Sequence, residues 1–157
     1  MPSNFLQYFH AVKGLDPVAD AFAATKYSDV VNMGDYANAT FIIYKGVGAT
    51  GTSTITVNAC DDVSASNETA IPFRYKAITA TDVEGALTAA TTAGFVTTAG
   101  SSQLYLIEID SEELGDTGYQ YARLSAVEVV DSPVLGGILI LMGGNRYAQD
   151  VPATAVV

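Results

Sequence analysis

The residues able to do chemistry in this chain are few and far apart. His10 is the sole histidine and Cys60 the sole cysteine. A Ser-His-Asp arrangement would have to use His10, which stands in an N-terminal stretch poorly suited to holding a base within reach of a nucleophile. A zinc site takes three or four Cys and His ligands, and the chain offers two such residues in all. Cys60 closes an alternating apolar run, the setting of a small core hydrophobe rather than of a reactive thiol, and a single cysteine makes no internal disulfide.

The acids leave more room. Asp61 and Asp62 share one loop; Asp110, Glu112, Glu113 and Asp116 share another. Oxygen-rich loops can bind Ca²⁺, yet the spacing of an EF-hand is missing, and a solvated acidic loop is the other reading. Glycoside hydrolysis needs two positioned carboxyl groups. Nothing in the spacing brings two together, and the chain has no Trp to serve as a sugar platform. Gly46, Gly48 and Gly51 do not fit Gly-x-Gly-x-x-Gly, no Gly-Lys-Ser/Thr follows, and the next segment is strand-like, so they read as hairpin glycines. No catalytic residue, cofactor site or metal ligand is assigned, and the expectation is a protein that is not an enzyme.

The composition points the same way. Of 157 residues, 49% are apolar but only 15% are charged, against roughly 25% in ordinary soluble domains. Thr, Ser, Gly and Ala fill the gap, so a mean hydropathy of +0.26 coexists with a net charge of -10. Few solvated Lys and Glu remain to cover the surface; either other subunits cover part of it or a Thr/Ser-rich surface faces water. The seven basic residues (Lys13, Lys26, Lys45, Arg74, Lys76, Arg123, Arg146) stand singly, so neither nucleic acid nor an anionic membrane is an expected partner. No secretory signal is read in Met1 to Asp16, and the apolar stretch Val134 to Met142 is about half a membrane span, so a soluble protein made in the cytoplasm is expected.

These side chains must be positioned by β-structure. Residues 1–26 read as an arm, with a turn or two of helix over Val18 to Ala24; its Phe5, Leu6, Tyr8, Phe9 and Phe22 are the candidate partner-binding residues, packing back on the domain or docking on a neighbour. From residue 27 to 145 the pattern is that of strands. Val30 and Val31 open the first, Thr40 to Lys45 is the second, and in Ser53 to Cys60 Ile55, Val57 and Ala59 face one way while Thr54, Thr56 and Asn58 face the other. Asp61 to Glu68 is a polar loop. Ile71 to Ile78 alternates, with Phe73, Tyr75 and Ala77 inward and Arg74 and Lys76 outward. Thr79 to Ser102 allows a helical turn around Asp82 to Ala90. Leu104 to Asp110 is apolar on both faces at its start, as in a central strand. A helical turn at Glu112 to Leu114 precedes a long strand, Tyr119 to Val130, whose alternation slips near Ser125 to Val127 and so predicts a bulge. Gly137 to Gly143 is a short, apolar strand, and residues 146–157 form a tail without pattern. The tyrosines at 44, 75, 105, 119 and 121 sit on strands as core-edge or interface residues. About seven or eight strands without amphipathic helices between them give a two-sheet antiparallel β-sandwich, jelly-roll or Greek key.

Several stretches also resemble a known family. Tyr27-Ser-Asp-Val-Val-Asn-Met, Ala39-Thr-Phe-Ile-Ile-Tyr-Lys-Gly-Val-Gly-Ala-Thr-Gly-Thr-Ser-Thr-Ile-Thr-Val and Cys60-Asp-Asp-Val are similar, in texture and order, to phage virion proteins of this size. So are Ala70-Ile-Pro-Phe-Arg-Tyr-Lys, Thr98-Ala-Gly-Ser-Ser-Gln-Leu-Tyr-Leu-Ile-Glu-Ile-Asp and Val129-Val-Asp-Ser-Pro-Val-Leu-Gly-Gly. The likeness spans roughly residues 27 to 142 and is to the tailed-phage head decoration (cement) proteins. It implies a β-sandwich or jelly-roll subunit, often a homotrimer, on the outer surface of the capsid over junctions of the major capsid protein, with no active-site residues to carry over. Another virion part (tail tube, neck or head-fibre base) and a carbohydrate-binding module are the alternatives.

Overall fold

The computed structural model describes residues 4–47, 50–146 and 154–156. Two antiparallel sheets pack face to face. A short helix α1 (Phe5–Tyr8) leads into β1 (His10–Val18), followed by β2 (Thr25–Tyr27), β3 (Val31–Asn32), β4 (Tyr36–Lys45), β5 (Thr52–Cys60), β6 (Glu68–Ile71) and β7 (Phe73–Ile78). Then come β8 (Thr88–Ala90), β9 (Phe95–Val96), β10 (Leu104–Asp110), α2 (Ser111–Gly115), β11 (Tyr121–Val130) and β12 (Gly136–Asn145). The larger sheet runs β1-β12-β4-β10-β7-β8; the other runs β2-β11-β5-β6, with β3 also on β11 and β9 on β5. The fold is the antiparallel sandwich that the strand pattern predicts.

Alternation decides which side chains form the core. From the larger sheet Phe41, Ile43, Ile107, Ile109, Ile138, Ile140 and Met142 point inward, all buried. Opposite them lie Ile55, Val57, Ala59, Ala122, Leu124 and Ala126. The large residues of one layer face several alanines of the other, which lets the sheets approach closely. Each buried Ile or Leu contributes about 1.5–3 kcal/mol by leaving water.

Most connections cross between the layers. Three expectations are corrected. Ile71 to Ile78 is not one strand: Pro72 has no N–H to donate, the pairing ends there, and the chain passes from β6 in one sheet to β7 in the other. Gly46 and Gly51 flank a passage between β4 and β5, strands of different sheets, rather than a hairpin, and Gly48 lies outside the described residues. Asp82 to Ala90 is not helical; Ala80 bridges Val83, and β8 begins at Thr88.

The expected arm is corrected most. His10–Val18 is an edge strand of the larger sheet, with His10 opposite Met142 and Val18 opposite Gly136. The segment after it is a turn rather than a helix, with Ala24 at φ 58°. Phe22 is buried in the core beside Gly136. What stands apart is residues 4–9. At the other end, Ala155 is fully buried and its carbonyl accepts the Asn32 N–H at 2.8 Å, so that part of the expected tail packs on the body. Residues 147–153 and 157 lie outside the described residues.

Other expectations hold closely. The helical turn is α2, its Glu113 carboxylate reaching back to accept the Asp110 N–H at 3.1 Å. The long strand does carry a register shift against β5, but between Glu128 and Val130; over the expected Ser125 to Val127 the pairing is regular. The last apolar strand is longer than expected, ten residues, and pairs on both sides, with β1 and β4.

Candidate interaction surface

The residues singled out for chemistry do not converge. His10 opens β1 and its ring lies 6.1 Å from that of the buried Tyr36. Cys60 is fully buried, with Sγ 3.6 Å from the Asn58 carbonyl. Burial pushes its thiol up to about 11, against the pull of Arg123 in the other direction, so the thiolate is disfavoured. The Asp61 carboxylate accepts the Asn67 N–H at 2.9 Å and Asn67 Nδ2 at 2.6 Å, and these bonds hold its pKa low. Asp62 accepts the N–H groups of Ser64 and Ser66. Both acids therefore serve their own loop, as turn residues do. Burial raises the Glu113 carboxyl, which caps α2. Among the described residues no three His, Cys, Asp or Glu side chains group as metal ligands.

The outer faces of the two sheets differ in how continuous their apolar residues are. On the smaller sheet, Thr54, Thr56 and Asn58 point outward from β5 as the sequence predicts. Arg123 beside them donates to Glu68 at 2.8 and 2.9 Å, and its guanidinium lies 3.8 Å above the Tyr27 ring. This face is mixed: the exposed Tyr27, Val96 and Val127 stand in register with Ser125 and Thr54, and Asn58 and Ser125 are buried.

The larger sheet has apolar residues on both faces of its three central strands. Rungs of the register set Leu139 beside Ile42 and Ile42 beside Leu106; Tyr44 stands beside Leu104, which in turn pairs with Ile78. All these point away from the core. Leu139 is 42% exposed and Tyr44 60%. Together with Leu15, Leu104 and Leu135 they line an open groove of about 520 Å³. Lys13 and Asp16, 3.9 Å apart, stand at one rim. Toward the other edge of the face come Arg74, Glu108 and Lys76, the last bonded to Glu84 at 2.7 Å, which holds the Glu84 carboxyl low.

The far end of this face is covered by the chain itself. Gly143 has no side chain, and the Phe9 ring occupies the space; a Cβ there would stand 3.0 Å from Phe9 Cε1 and would strike Asn38 Oδ1. Phe5 stacks on Phe9 with ring centroids 4.6 Å apart, yet remains 60% exposed. Leu6 and Tyr8 are also exposed, at 81% and 52%. Of the five candidate partner-binding residues, then, Phe5, Leu6 and Tyr8 project into solvent, Phe9 is half-buried against the sheet, and Phe22 belongs to the core.

Two features escaped the sequence reading. Apolar residues on both faces of Thr40 to Lys45, Leu104 to Asp110 and Gly137 to Gly143 read as strands covered on both sides; the signal was present, but the described residues form a covering layer on only one side. Lys45 is the other. It is 2% exposed, its Nζ donating to the carbonyls of Gly51 at 3.0 Å and Thr98 at 2.8 Å, and burial lowers its pKa. A single lysine at a strand end gives no sign in sequence of pointing inward.

No family model and no curated protein matches the chain. Among solved structures, the SPBc2 prophage-derived protein YomS is similar, with 14% identity over 86% of this chain and 93% of that one and a TM-score of 0.50. At that identity the likeness is one of fold.

Proposed function

We propose that this protein is a structural component of a phage particle, a decoration subunit that binds the outer surface of the head and secures contacts between major capsid proteins. One observation carries the reading: the outer face of β12, β4 and β10 is rich in apolar side chains, and among the described residues only Phe9 at one end covers it. A face of that kind is stable in water only at a cost, which docking removes. The prophage origin of a protein with this fold and the resemblance of residues 27 to 142 to head decoration proteins support the same reading.

The chemistry of the task fits these residues. A clamp on a pressurised shell must resist separation of its neighbours and need transform none of them. Modest contacts repeated around a particle suffice, because each engages at high local concentration once its neighbours are bound. The acidic, sparsely charged body with Cys60 sealed in the interior carries no turnover in this reading; the protein acts as a homo-oligomer and requires no cofactor.

The test is co-sedimentation with purified phage heads that lack the protein. The native chain is expected to pellet with heads to a saturating ratio, and Leu139→Glu to bind at least about 10-fold more weakly, as loss of a central apolar anchor would dictate. Native chain that stays in the supernatant, or a Leu139→Glu chain that pellets equally well, contradicts the proposal.

A further inference from the structure

We propose that residues 4–9 form a strap that closes on the Gly143 end of the larger sheet in the free subunit and is displaced when that face docks. This rests on reading the outer face of the larger sheet as the docking surface, and it adds a competing contact within the chain.

The strap is fastened at one point. Gly143 leaves a socket in β12 and the Phe9 ring fills it, with Cε1 and Cδ1 at 3.0 and 3.3 Å from where a Cβ would stand. Phe5 adds its ring to Phe9, centroids 4.6 Å apart. Ahead of this point α1 buries none of its four residues, and Asn4 gives it no side-chain cap. Its two backbone hydrogen bonds stay inside the segment: Gln7 N–H donates to the Asn4 carbonyl at 2.9 Å and Phe9 N–H to the Phe5 carbonyl at 3.2 Å. Among the described residues no hydrogen bond or ion pair ties residues 4–8 to either sheet. A single helical turn is not stable in water by itself. One half-buried ring therefore opposes the conformational freedom of the whole segment. Such a segment opens alone, far more readily than the sandwich behind it.

The strap and a docked neighbour need the same place. Side chains alternate along a strand, so Leu139, Leu141 and Gly143 follow one another on the outer face of β12, with Leu141 beside Thr40 and Gly143 beside Asn38 on β4. Gly143 thus lies about 13 Å along the strand from Leu139. A partner centred on Leu139 and burying about 800 Å² per side extends roughly 15 Å from that centre, and so arrives at Phe9. The sheet at Gly143 is reached only once that ring and the segment it carries have moved. Closure accordingly lowers the apparent docking affinity by the fraction of chains in which the strap is open, and docking opens the strap to the same degree. In the free subunit the closed strap keeps this end of the apolar face out of water, which limits premature association.

Co-sedimentation with phage heads that lack the protein, joined to amide exchange on the free and the pelleted full chain, tests this; thermal unfolding verifies that each variant folds. Phe9→Ala is expected to speed exchange at Gln7 in the free chain and to tighten binding to heads by the same factor, roughly 10-fold, because one closing equilibrium governs both. In the native chain the Gln7 amide is expected to exchange faster on heads than in solution. If Phe9→Ala binds no more tightly than the native chain while Leu139→Glu binds more weakly, the strap is overturned and the docking face stands. Slower exchange at Gln7 on heads overturns it as well, since the segment is then gripped rather than displaced. Native chain that does not pellet overturns both.

Discussion

Cys60 and Lys45 show how one interior treats two ionisable groups in opposite directions. The Cys60 thiol is pushed up to about 11 by burial, above its usual 9. The folded protein thus holds that proton longer than the unfolded chain, so the contribution is present below pH 9 and is lost as pH rises toward 11. Denaturant unfolding should show stability falling over that window, and Cys60→Ala should flatten the fall. The same burial makes the native thiol inert to a thiol reagent at pH 8, reacting only at the rate of unfolding; rapid labelling of the native protein would refute that. Lys45 is shifted downward by burial, so here the unfolded chain binds the proton more tightly, and this group's contribution grows as pH rises toward its usual 10.5. Its ammonium ties the Gly51 carbonyl, just before β5, and the Thr98 carbonyl, just after β9, to β4 of the other sheet. Lys45→Met removes the partner of the buried Gly51 carbonyl and of the part-buried Thr98 carbonyl, and is expected to cost about 1–3 kcal/mol at neutral pH, measured by urea unfolding.

At the scale of elements, strand ends and crossings depend on glycines and one proline. Gly94 has φ +71°, and a Cβ there would run into the Ile55 carbonyl. Gly94→Ala should therefore lower stability by more than about 1 kcal/mol and loosen β9 from β5, read as faster amide exchange at Thr54 and Ile55. Gly143→Ala should displace Phe9 instead: a modest loss of stability, with faster exchange over residues 5–9. Unchanged exchange there would mean that Phe9 does not hold the segment. Much of the element scale was legible in the sequence, because alternation in Ser53 to Cys60 and the apolar runs 40–45 and 104–110 report directly on pleated strands. Pairing and crossing were not. Val12 and Lys13 in an expected arm carry no signal that β12 lies beside them, and nothing in Ile71-Pro72-Phe73 says that the second half joins a different sheet, since which sheet a strand joins is set by contacts distant in sequence.

On the scale of the whole molecule, the two outer faces differ in pattern. Thr54, Thr56 and Arg123 interrupt the apolar Tyr27, Val96 and Val127 on one; Ile42, Tyr44, Leu104, Leu106 and Leu139 run together on the other. The sequence contained this asymmetry in its runs of apolar residues, yet reading it as an interface required knowing that only two layers exist. On the proposed reading the protein holds neighbours through the larger sheet. The most direct measurement is a density map of the intact virion. The account expects this sandwich on the outer surface of the head, with β12, β4 and β10 facing a neighbouring subunit. A particle in which the chain is absent, or in which that face looks into solvent, would contradict it.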